Sequence, residues 1–248
     1  MAEVVDKTSG GAGAGVSLQA PTDPGGLSNK LLILAYAVYS GSDPTPSAVT
    51  YDGTDISANL IHNTTDGWYS SLRIYYVKNP ASAATFAVTV GGGGTAACAI
   101  LLKDIDQTTI FRTITLGDAR ANPSTLAVTN SQSGDLILGL HSVDHTTSAN
   151  GFTQARVGAG QTYLFQENRA GEIELAGCTE PGASGTVTNS WEFVDNVDNG
   201  FLSIAIPLIT SASGVTVTQT SVIAATASVL THSAATLYPG SVTPTITL

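Results

Sequence analysis

Four runs of this chain are almost unbroken in apolar residues: "KLLILAYAVY" (30–39), "CAILL" (98–102), "DLILGL" (135–140) and "LSIAIPLI" (202–209). None is long enough for a stable helix with its own cap and stop, and Gly, Asn or Asp lies within two residues of one end of each. A short continuous apolar run is a strand covered on both faces, so the fold must contain sheets packed on both sides. Other runs alternate instead. "LRIYYVK" (72–78) and "TFAVTV" (85–90) place apolar residues on one face only, as in a sheet with one wet side.

Between Gly, Pro, Asn and Asp punctuation, strand-like runs recur at 15–19, 30–39, 47–51, 55–62, 70–78, 84–90, 95–103, 108–115, 124–129, 134–143, 161–167, 171–178, 185–193 and 200–209. The expected fold is all-β, a sandwich over residues 15–210. Leu32, Leu34, Tyr36, Ala99, Leu101, Leu136, Leu138, Leu140, Ile204 and Ile206 are expected inside it. Residues 1–14, which hold all but the last residue of "DKTSGGAGAG" (6–15), are expected to form a flexible N-terminal arm. After Ile209, "TSASG" marks a boundary, and residues 211–248 form a separate tail.

The chain also echoes itself. "NKLLILAYAVYSGSD" (29–43) is similar to "SGDLILGLHSVDHTT" (133–147), and "ATFAVTV" followed by "TAACAILL" is similar to "GTVTNSWEF" followed by "GFLSIAIPLI". Such a repeat implies one sandwich built from two related halves. Two separate sandwiches are the alternative, disfavoured because the connection "DIDQTTIFRTITLGDARANP" (104–123) has strand character.

Charge narrows the function. Only 11% of residues are charged, and the net charge is −10, against about 25% charged in an ordinary domain. Nucleic-acid binding needs clustered Lys and Arg, and the nine basic residues are scattered. An anionic membrane surface is disfavoured for the same reason. "MAEVVDKTSGGAGAG" lacks a basic segment followed by an apolar one, so synthesis in the cytoplasm is expected.

No nucleophile elbow, phosphate loop, dinucleotide fingerprint or H-E-x-x-H motif is present. "HSVDH" brings His141, Asp144 and His145 together, and the two histidines share a face of an extended chain, but a third ligand is not evident. "DNVDNG" (195–200) bunches Asp195, Asn196, Asp198 and Asn199 without the alternate spacing of a calcium loop, and a turn explains it equally well. No metal or cofactor is expected. Trp68, Tyr69, Tyr75 and Tyr76 offer aromatic surface for a sugar ring, though cross-strand packing explains them too. Glu167, Glu172, Glu174 and Glu192 supply carboxylates, but their spacing selects no catalytic pair. Cys98 and Cys178 lack metal-type spacing, and Cys98 is expected to be a small buried thiol.

"AVTYDGTDI" (48–56), "LRIYYVKNPASAATFAVTV" (72–90), "LKDIDQTTIFRT" (102–113), "SGDLILGL" (133–140) and "FLSIAIPL" (201–208) resemble a jelly-roll-like β-sandwich domain of bacteriophage virion and bacterial surface proteins. "TQTSVIAATASVL" (218–230) resembles the Val/Thr/Ala repeats appended to such domains. The resemblance carries no catalytic residues. It implies a structural or adhesive role: a non-enzymatic virion protein, assembled in the host cytoplasm, that decorates a phage head and contacts the major capsid protein. The alternative it implies is a carbohydrate-binding or adhesin module on a tail fibre or cell surface.

The tail fits assembly. After Asp198 the remaining 50 residues carry no formal charge, and "VTVTQT" and "VTPTITL" alternate Thr with Val or Ile. Charge-free, β-prone segments pair edge to edge with other chains. The expected subunit interface of a homo-oligomer is therefore Val215, Val217, Val222, Ile223, Val229, Leu230, Leu237, Tyr238, Val242, Ile246 and Leu248.

Overall fold

The continuous apolar runs are buried on both faces because four sheets stack in succession. The computed structural model describes residues 2–40, 45–65, 70–81, 84–91, 93–119, 123–144, 155–169, 173–193 and 201–211. The first half supplies β1 (Glu3–Ala12), β2 (Gly15–Gln19), β3 (Leu31–Tyr39), β4 (Ala48–Tyr51), β5 (Thr54–Asp55), β6 (Leu60–Thr65), β7 (Ser70–Lys78), β8 (Thr85–Thr89) and β9 (Thr95–Lys103). The second supplies β10 (Thr115–Ala119), β11 (Ser124–Val128), β12 (Leu136–Asp144), β13 (Ala155–Val157), β14 (Thr162–Arg169), β15 (Ile173–Pro181), β16 (Val187–Phe193) and β17 (Phe201–Leu208). The fold is all-β, as the residue patterns indicate.

The strand order explains the sequence echo. In the first half, β1-β9-β3-β7-β6 faces β2-β8-β4-β5. First strand pairs with last, second with next to last, and so inward, down to β4 with β5. That nesting is a long hairpin wrapped into two sheets, the jelly roll. The second half repeats it except for the innermost pair: β10-β17-β12-β15-β14 faces β11-β16-β13, with no counterpart of β5 among the described residues. Register repeats as well. Leu31 sits between Lys78 and Leu102, and Leu136 sits between Pro181 and Leu208. Each half thus forms its own pair of facing sheets, and both halves belong to one compact unit, Met1–Ser211. Segment 104–114 touches its neighbours through isolated bridges, Ile105 with Thr210 and Phe111 with Leu208, and connects the two halves.

The two five-stranded sheets pack against each other. Ile33, Leu72, Ile74 and Ile100 of one meet Leu138, Leu140, Ile204 and Ile206 of the other. The opposite face of β3 turns Leu32, Leu34 and Tyr36 into the first roll, with Phe86 and Val88. Burying both faces of β3 and β9 is what their unbroken apolar sequence requires. Of the ten expected core residues nine are buried; Leu136, at the start of β12, is only partly covered. The β4–β5 connection is the two-residue Asp52-Gly53 turn, both residues at positive φ (52° and 71°), as a right-twisted hairpin demands.

Residues 1–14 differ from expectation. The glycine-rich segment is mostly strand: β1 pairs with β9 from Glu3–Lys103 to Ala12–Thr95, and Lys103 Nζ meets Glu3 Oε2 at 2.9 Å. Its glycines serve close approach. A Cβ on Gly10 would lie 3.3 Å from Leu18 Cδ1, and one on Gly11 3.3 Å from both Glu167 Oε1 and the Thr95 carbonyl oxygen. The compact unit comprises Met1–Ser211, and residues 212–248 lie outside the described residues.

Candidate functional site

The two rolls share a frame but fill it differently. Counting along matched strands, Leu34 corresponds to Gly139 and its neighbour Tyr75 corresponds to Cys178. The first interior is packed with Leu, Val, Tyr and Phe, with Ser71 and Arg73 as its polar members on β7. The second carries His141 on β12, Glu174, Cys178 and Glu180 on β15, and Asn189 and Trp191 on β16, all buried.

These groups form a joined set. Asn189 Nδ2 donates to Glu180 Oε1 (2.9 Å) and to Cys178 Sγ (3.3 Å), and Gln161 Nε2 donates to the same sulfur (3.0 Å). Gln161 Oε1 accepts from the Gly158 amide (2.7 Å) and the Ser190 amide (3.1 Å), tying the turn before β14 to β16. Only a glycine fits at 139, since a Cβ there would lie 2.6 Å from Asn189 Oδ1 and 2.8 Å from Cys178 Sγ. Burial pushes the Cys178 thiol up to about 11 against the opposing hydrogen bonds from Asn189 and Gln161. Burial likewise raises the Glu180 carboxyl, opposed by Asn189. A thiol so shielded is a poor nucleophile. The set ties β15, β16 and the turn before β14 together.

His141 is 1% exposed and stacks on Trp191, ring centroids 5.7 Å apart. Burial holds its imidazole well down, at about 3. His145, Asp195, Asn196, Asp198 and Asn199 lie outside the described residues. Among the described residues no three His, Cys, Asp or Glu side chains are grouped to hold a metal ion. Tyr75 is buried and stacked on Tyr36 (6.2 Å), and Tyr76 meets Phe111 edge-on (6.1 Å). Trp68, Tyr69 and Glu172 fall outside the described residues. Glu174 is buried while Glu192 is exposed, so those two do not face each other across a cleft. Cys98 and Cys178 are free and buried in different cores.

Outside the cores, the exposed large hydrophobic side chains among the described residues are Leu60 (41%), Leu116 (46%) and Tyr163 (43%). They belong to β6, β10 and β14, and each of these is an edge strand of an inner sheet. The polar set could not be read from sequence, because Gln161, Cys178 and Asn189 meet only through the pairing of β15 and the facing of β16. The eleven expected interface residues, Val215 to Leu248, lie outside the described residues. No family model matches the chain, and no curated protein or solved structure matches it.

Proposed function

We propose that the chain is a non-enzymatic structural protein of a bacteriophage virion, an outer decoration or head protein that assembles with copies of itself and with the major capsid protein through residues 211–248. The observation that carries this reading is the placement of Leu60 and Leu116 on edge strands of the two inner sheets. Sheet edges bearing apolar side chains are where another chain adds. Jelly rolls build viral shells and also lectins, so the fold alone does not choose between the two. Net charge of −10 suits an outward-facing layer better than one against packaged DNA.

Gold-labelled antibody against the chain, applied to intact particles of the phage encoding it, should decorate the head exterior. Particles that never carry the label would refute the proposal. The carbohydrate-binding reading has less support, because Tyr75 and Tyr76 are engaged in packing. Glycan binding abolished by Trp68→Ala would favour it instead.

A further inference from the structure

The repeat supplies an internal control for its own edges. In the first roll β1 is ten residues long and lies against β14, the outermost strand of the opposing inner sheet. The strands matching β1 and β14 in the other halves are β10 and β6, so the same arrangement would lay β6 against β10. No comparable contact joins those two strands among the described residues. Among the described residues one margin of the double layer is thus closed by strand contact and the other is not. At the second margin Leu116 is 46% exposed, although its ladder partner Ile204 is fully buried. β10 reads "TLGDA", without the Lys or Pro that commonly protects an edge.

We propose that the outer edge of β10 receives residues 215–220, "VTVTQT", from a second copy of this chain as an added antiparallel strand. The inference rests on the assembly reading above and names the acceptor. In an extended strand Val215 and Val217 share a face, and that face can cover Leu116 while the threonines keep the other face wet.

The route of the described chain argues for a second copy. Asp106 N donates to Ile209 O (2.8 Å) and Ser211 N to Asp104 O (2.8 Å), so segment 104–119 runs back alongside 201–211. The chain therefore leaves at the end of this ladder opposite Ala119. A tail turning straight back outside β10 would cross the 104–114 connector and run parallel to β10. Every strand pair in the described fold is antiparallel, and connections avoid crossing at a sheet edge. A strand arriving from another copy meets neither obstacle.

The test mixes full-length Leu116→Cys chains with full-length Val217→Cys chains under mild oxidation. Both native cysteines are buried and do not compete. The expected product is a covalent dimer containing one chain of each kind. A double variant that closes only within its own chain, with no mixed dimer, would overturn the exchange. An absence of either crosslink in protein that still assembles would overturn β10 as acceptor and leave the assembly reading standing. Leu116→Lys gives an independent readout: oligomers should be lost from a chain that keeps its native circular dichroism, and oligomers that persist would count against the proposal. A parent chain that never self-associates would overturn both readings together.

Discussion

Two residues show how differently the matched rolls are filled. Gly139 stands where the first roll has Leu34, and the space is taken by Asn189 and Cys178. Gly139→Ala should cost about 1–3 kcal/mol through overpacking, read as a lowered urea midpoint at unchanged slope. His141, matched to Tyr36, is held neutral by burial, down to about 3 from an ordinary 6.5. Below pH 6.5 the unfolded chain takes up a proton that the folded chain refuses. Stability therefore falls as pH drops from above 6.5 toward 3. His141→Phe keeps an aromatic ring against Trp191 and should flatten this dependence between pH 7 and 5. An equal slope in both proteins would show that the imidazole does not set it.

Elements were legible to the extent that their sequence records burial. β3, β9, β12 and β17 stood out because packing on both faces fills most of their positions with apolar residues. β1 did not, because its glycines serve contacts with Leu18 and Glu167 that sequence spacing cannot reveal. "TTIFRTIT" (108–115) alternates like a strand, yet it meets its neighbour through the Phe111–Leu208 bridge, and the strand proper begins at Thr115. β13 has three residues, too few to register as a period. The two readings of residues 1–14 differ in a protease experiment. Lys7 lies within the ladder to β9, opposite Ile100. Trypsin should leave the bond after Lys7 intact in the native protein and cut it once the chain is unfolded; rapid native cleavage there would restore the flexible arm.

At the scale of the molecule, one wrapped hairpin is used twice, and the inner sheets cover each other with the most apolar strands of the chain. The repeat was visible in sequence at β3 and β12 and at β8–β9 and β16–β17, the strands whose burial is alike in both halves. It was invisible where the second roll turned polar, at Gly139, Cys178 and Asn189. Among the described residues the large apolar side chains left exposed lie on edge strands, and the uncharged stretch beyond Ser211 has the composition to pair with such an edge. In the proposed assembly residues 212–248 hold copies together, while Met1–Ser211 is a compact unit by itself. Sedimentation velocity on the full chain and on residues 1–211 tests it most directly. Oligomers of the full chain and a folded monomer of the truncated one are predicted; identical assembly of the two would contradict the account.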